Sequence, residues 1–170
     1  MDKVEIVLDA DVIIHFAKAD CLSLLPTIFP EYRMVVLSVV NNELKGVVKL
    51  QLENMTNLLK IIHIIPFNPS KEMKLEYARL NRTFGKGESA CMAYCRYTNN
   101  VIGSSNLKDI KEYCQQHKLV YLTTVDFLYY AIKRNKMSIN AANQFIHTVI
   151  EKGSKLPIVD FNTFLSQVAL

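Results

Sequence analysis

The sequence predicts an α/β protein, a three-layer α/β/α sandwich around a central, mainly parallel sheet of about five strands. Short β-branched runs of three to five residues recur along the chain. They read as uninterrupted apolar stretches, as strands covered on both faces do. Between them lie helical-period segments, and strands joined through helices pair in parallel by right-handed crossovers.

The elements follow in order. Val4 to Leu8 is an apolar strand that ends at Asp9. From Asp11, the residues Val12, Ile14, Ala17, Leu22, Leu24 and Leu25 recur at helical spacings, and Pro26 and Pro30 mark the end of that region. Met34 to Leu37 is the second strand, closed by Ser38. Val39 to Leu59 is again helical in period, and Ile61 to Ile65 is a third strand ending at Pro66. Ser70 caps a helix beginning at Lys71, and Gly85-Lys86-Gly87 breaks it before another helix starts near Glu88. Val101 to Gly103 and Leu119 to Thr123 are strands flanking a helix over Lys108 to Gln116. Ser138 to Glu151 and Asp160 to Val168 close the chain as helices, with Gly153 and Pro157 as breakers between them.

With 170 residues, 50% of them hydrophobic and 21% charged, the chain suits one compact domain and excludes a multidomain machine. Residues 1–137 form the α/β/α domain, and 138–170 form a C-terminal helical extension packed on it. Five Gly and five Pro, spread out, leave no linker or low-complexity tract. The apolar runs fall far short of the roughly 20 residues a membrane span needs, and the N-terminus alternates charges where a signal peptide is apolar. A cytoplasmic protein without membrane contact is expected. Cys21, Cys91, Cys95 and Cys114 form no CxxC pair and read as small buried hydrophobes. His15, His63, His117 and His147 lack metal-ligand spacing and read as packing or surface residues.

Functional groups in such a sheet gather outside the carboxyl ends of the strands. There the sequence puts Asp9 and Asp11 after the first strand, Ser38 and then Glu43 after the second, and Ser104, Ser105 and Asn106 after the fourth, with Glu88 opening the preceding helix. Carboxylates converging without a basic neighbour repel one another, and a divalent cation offsets that repulsion. Hard oxygen ligands suit Mg²⁺ or Mn²⁺, which complete their shell with water and phosphate oxygens. The chemistry implied is metal-assisted attack of water on a phosphodiester. Each residue also has a plain structural role. Asp11 is better placed than Asp9 to cap the first helix, so Asp9 takes the functional role and Asp11 serves as cap or as ligand. Glu43 suits a solvated helix face, Glu88 favours a helix dipole by about 0.3–1 kcal/mol, and the Ser and Asn residues suit turns.

The pattern Ile6-Val7-Leu8-Asp9-Ala10-Asp11-Val12-Ile13, then Val35 to Leu44 with Glu43, then Gly85-Lys86-Gly87-Glu88-Ser89-Ala90 resembles a PIN domain over roughly residues 4–135. That family comprises α/β/α ribonucleases, including toxins of bacterial toxin–antitoxin pairs, in which three or four acidic residues hold Mg²⁺ or Mn²⁺. The resemblance implies that Asp9, Glu43 and Glu88 are the first three acids. Where many relatives carry aspartates after strand four, this chain has Ser105 and Asn106, neutral ligands that bind a hard cation more weakly and that would orient the water or the phosphate. Asp109 and Asp126 are candidate substitutes outside the motif. The resemblance further implies a homodimer and an antitoxin partner reaching over the acidic pocket.

For RNA contact the best stretch is Lys71, Lys74, Arg79, Arg82 and Lys86, interleaved with Tyr77 and running toward Glu88. It serves either as a phosphate-neutralising patch or as an ordinary solvated face. Lys133, Arg134 and Lys136 form a second cluster beside Tyr129 and Tyr130. Two other functions compete with a ribonuclease. One is a PIN-fold binding module without catalysis, motivated by the unmatched fourth acid. The other is a phosphatase resembling the haloacid dehalogenases, because Asp9-Ala10-Asp11 fits their DxD signature; their later acidic pair is absent here and the chain is short for them.

Overall fold

A computed structural model describes residues 3–170; Met1 and Asp2, part of the N-terminal charge alternation, lie outside the described residues. Five strands, β1 (Glu5–Leu8), β2 (Arg33–Leu37), β3 (His63–Ile65), β4 (Val101–Gly103) and β5 (Tyr121–Leu122), form one sheet in the order β3-β2-β1-β4-β5. Every pairing is parallel, with Val7 opposite both Val35 and Ile102. The predicted three-layer sandwich is observed. Chain order reverses between β1 and β4, so the loops after these strands diverge to opposite faces and leave a crevice at their carboxyl ends.

The helices are α1 (Ala10–Lys18), α2 (Leu25–Ile28), α3 (Ser38–Glu43), α4 (Gly46–Glu53), α5 (Lys71–Leu80), α6 (Lys86–Thr98), α7 (Leu107–His117), α8 (Thr124–Lys133) and α9 (Ile139–Glu151). On one face, α6 packs on β1, β2 and β4, with α5 and α7 beside it. On the other, α1, α2, α8 and α9 pack together, and Phe16 meets Phe127 and Phe145 edge to face at 5.9 and 4.8 Å. Phe16, Phe127, Ile6, Leu8 and Ile13 are fully buried, each worth about 1.5–3 kcal/mol relative to exposure. Among the described residues no helix is long and apolar enough to cross a membrane. Cys91, Cys95 and Cys114 are buried free thiols, as expected, whereas Cys21 is half-buried.

Several boundaries depart from the sequence reading. The first helical region stops at Lys18, where Asp20 turns with φ +54°, and Pro26 does not end a helix but sits in the first turn of α2, where its missing N–H costs nothing. The single helix expected over Val39 to Leu59 is broken: Leu44 and Lys45 are extended and Gly46 adopts φ +56°, so α3 ends at Glu43 and chain direction changes. Lys86 and Gly87 belong to α6, which starts after Gly85.

Helix α9 packs on α1 and α8 and buries Ala142, Phe145, Ile146 and Val149. The helix expected over Asp160 to Val168 is absent. Asp160 Oδ1 accepts hydrogen bonds from Asn162 N (2.9 Å) and Nδ2 (2.8 Å), a local turn that competes with helix formation. The chain after α9 instead runs as an irregular strap. Lys18 Nζ donates to Lys152 O (2.6 Å), Ser166 Oγ donates to Asp126 Oδ1 (2.6 Å), and Tyr130 Oη donates to Val168 O.

Candidate functional site

A pocket of about 450 Å³ opens at the carboxyl ends of β1 and β4, lined by Asp9, Asp11, Glu43, Glu88, Ser105 and Asn106 together with His15 and Lys155. Four carboxylates from three separate segments therefore converge. The first segment is the β1–α1 junction. Asp9 is 6% exposed; its Oδ1 accepts from Ala10 N (2.8 Å) and its Oδ2 lies 3.3 Å from Ser104 Oγ, which donates to it. Asp9, not Asp11, is thus the cap of α1, because the helix begins at Ala10, directly after Asp9 and with no loop between it and β1. Asp11 stands in the first helical turn, where Oδ2 accepts from Ser105 N at 2.8 Å and lies 3.4 Å from Ser104 Oγ. Burial, and then the neighbouring Asp11 charge, raise the Asp9 pKa; burial raises that of Asp11.

Glu43 ends α3 and is exposed. Its Oε1 accepts from Gly87 N at 2.8 Å, one of the first-turn N–H groups of α6 that lack a helical partner. Glu88, the next residue, is 9% exposed, and its Oε1 has no hydrogen-bond partner. Burial first, then the charges of Asp9, Asp109 and Asp11, push its pKa up to about 8. The helix dipole favours a carboxylate there, but burial outweighs it.

The remaining predicted residues divide. Ser105 lines the pocket, yet its hydroxyl is engaged: it donates to Thr124 Oγ1 (2.7 Å) and accepts from Thr124 N (2.7 Å). Its contribution to the acids is the backbone N–H held on Asp11. Asn106 is exposed at the rim and donates through Nδ2 to Asp109 Oδ2 at 2.8 Å. Asp109 stays outside the lining and acts on Glu88 through its charge alone. Asp126 is no part of the site. It closes a capping box with Thr123 at the start of α8, because the strand ends at Leu122 and the helix starts immediately.

Lys71, Lys74, Arg79, Arg82 and Lys86 are all exposed, along α5, the turn after it and the first residue of α6, and none lines the pocket. Arg79 is committed to Glu76, donating through Nε (3.0 Å) and Nη2 (2.9 Å), and Tyr77 packs on Phe67. In the second cluster Arg134 is held by Glu31, and Tyr130 is buried.

Two lining residues escaped the sequence reading. His15 is 6% exposed, shares a 2.9 Å hydrogen bond with Thr124 Oγ1, and is held neutral by burial and by Lys18, with its pKa lowered to about 4. It lies one helical turn beyond Asp11, a spacing that could have revealed it. Lys155 comes from the strap, is exposed and makes no ion pair among the described residues. It corrects the expectation of an acid cluster without a basic neighbour, and no local signal marks it.

Among the described residues, no set of three or more His, Cys, Asp or Glu side chains is arranged to hold a metal ion directly. The carboxyl set is nonetheless all oxygen, and Glu88 Oε1 is a buried carboxyl oxygen without a hydrogen-bond partner. Such a pocket fits a hard divalent ion that retains much of its water shell, as Mg²⁺ does, better than one needing a closed protein cage. Compared with known protein families and with curated proteins, the chain matches none of either.

Proposed function

We propose that the protein is a metal-dependent ribonuclease of the PIN type, hydrolysing RNA phosphodiesters. The observation that carries the reading is the meeting of Asp9, Asp11, Glu43 and Glu88 in one pocket at the sheet's switch point, with Glu88 Oε1 buried and unpaired. A pocket built for catalysis by its own carboxylates needs a charge to offset them, and Asp9 and Glu88, with Asp11 and Glu43 beside them, would hold Mg²⁺ or Mn²⁺. When bound, the ion supplies Lewis acidity at the phosphate and lowers the pKa of water. The chain's own groups do the positioning. The Ser104 hydroxyl donates to Asp9, the Ser105 N–H holds Asp11, and the Gly87 N–H aims Glu43. Lys155 offers a cation to the incoming phosphate at the pocket's rim.

A second reading, an RNA-binding module without cleavage, is favoured by one observation: the Ser105 hydroxyl at the fourth position is spent on Thr124. Incubation of single-stranded RNA with Mn²⁺ or Mg²⁺ decides between them. Cleavage by the wild type that disappears in Asp9→Asn supports the ribonuclease. RNA binding without cleavage under either ion supports the module. Hydrolysis of a generic phosphomonoester, with RNA left intact, supports instead a phosphatase using Asp9 as nucleophile.

A further inference from the structure

A second cavity adjoins the acidic pocket. It measures about 250 Å³ and lies between the loop after β4, the start of α8 and the strap. Leu107, Tyr121, Val125, Leu156, Val159 and Phe164 are among the apolar residues that line it. Ser105 and Lys155 line both spaces, so the two share a wall. Leu107 and Leu165 remain 44% and 68% exposed at this cavity, apolar surface that the fold itself leaves uncovered.

We propose that this cavity is a nucleobase subsite, taking one unpaired base of an RNA strand whose adjoining phosphate lies against Lys155 at the mouth of the acidic pocket. The inference rests on the ribonuclease reading and names how that site would hold its substrate. Three features argue for it. The volume falls below the roughly 300–1,000 Å³ of sites for drug-sized ligands, which suits one flat heterocycle rather than a whole nucleotide. The walls match a base in kind: apolar and aromatic faces from Leu156, Val125, Tyr121 and Phe164, and the polar side chain of Gln167 for an edge. Lys155 is the only Lys or Arg lining either space and makes no ion pair among the described residues, so the shared wall carries a cation where a sugar–phosphate would cross it.

The strap thereby has a purpose beyond covering α8. It brings Lys155 to the acids and closes the base-sized space beside them, joining one nucleotide's phosphate and base in a single footprint. Unpaired bases splayed from the strand are the part of RNA that proteins read most readily, because both faces are then free to pack.

The test uses the full chain with Ca²⁺ present and a short single-stranded RNA as probe, compared with strands in which one nucleotide is made abasic at successive positions. Binding is followed by fluorescence anisotropy, and cavity occupancy by the methyl resonances of Leu107, Val125, Leu156 and Val159. The intact strand is expected to shift these methyls by ring current. Removing the base at one position abolishes the shifts and weakens binding roughly tenfold, the scale of one stacked base. Leu156→Trp, on the irregular strap, fills the cavity and reproduces that loss while circular dichroism stays unchanged. Lys155→Ala weakens intact and abasic strands alike and flattens the salt dependence. Methyls that stay silent while RNA binds, equal binding by every abasic strand, or binding indifferent to Lys155→Ala overturns the subsite and leaves the ribonuclease reading intact. Methyls that respond only to an apolar peptide overturn it in favour of a protein partner. If the wild type neither binds RNA nor cleaves it with Mn²⁺, both readings fall together.

Discussion

Gly87 and Glu43 are fitted to one another across the pocket's edge. The Gly87 N–H donates to Glu43 Oε1 at 2.8 Å, and a Cβ on residue 87 would stand 2.5 Å from Glu43 Oε2. That approach is closer than any side chain but glycine's allows, so one residue both aims the carboxylate and leaves room for it.

Gly87→Ala is therefore expected to displace the Glu43 carboxylate while the fold survives, since the clashing atom ends a flexible, exposed side chain. RNA cleavage should fall by about tenfold or more, equivalent to ~1.4 kcal/mol. A melting temperature close to wild type, measured alongside, separates this from unfolding. Unchanged cleavage would show that Glu43 needs no such aiming.

Asp9→Asn keeps an oxygen for the Ala10 N–H, and Asn is as good a helix cap as Asp. Stability should change by less than about 1 kcal/mol, while divalent-dependent cleavage falls by at least about 100-fold, or ~2.7 kcal/mol. Thermal melting together with a cleavage assay in Mn²⁺ checks both halves.

Glu88 titrates at about 8 in the folded protein against an ordinary 4.5. Between those values the folded state holds the proton that the unfolded chain has released, so this group's contribution is fully present below pH 4.5 and is lost as pH rises through 8. In EDTA, Glu88→Gln should remove that loss, melting above wild type at pH 8 by roughly 2–4 °C for about 1 kcal/mol. Mn²⁺ should stabilise the wild type more at pH 8 than at pH 6, because protons compete with the ion for the same oxygens. Thermal melts across pH, with and without Mn²⁺, would show this, and an equal Mn²⁺ effect at both values would refute it.

Glu76 titrates in the opposite direction. Arg79 first, with Tyr113 and Arg96 (Nη1 to Oε1, 2.6 Å), holds its pKa down to about 2 from 4.5. Its stabilisation is present above pH 4.5 and disappears as pH falls through 2. Glu76→Gln should cost about 1.5–3 kcal/mol at neutral pH, the worth of hydrogen bonds to a charged group, and almost nothing near pH 2. Cleavage at low temperature should be unaffected, as Glu76 lies outside the pocket lining.

The layered fold and the acid set were both legible in the chain. Apolar runs such as Ile6-Val7-Leu8 can be buried only between two layers, and the Asp9 that ends one must emerge at a strand's carboxyl end. Glu88 was visible as the residue directly after the Gly85-Lys86-Gly87 break. Helix limits were less legible where backbone geometry overrides period, as at Gly46 with φ +56°, or where a side chain captures its own backbone, as Asp160 does. The burial that sets acidity was invisible as well: Glu88 is enclosed and Glu43 open, though both stand at helix ends.

What the sequence determined by itself is thus whatever depends on local order: strand composition, helix period and the residue that follows each strand. Tertiary structure alone decided the partners. It put Ser105 on Thr124 and Asp126 under Ser166, and it carried Lys155 from the far end of the chain to the rim of the acids. Period and propensity act over a few residues, whereas these contacts depend on where the crossovers return the chain, and only the packed layers fix that.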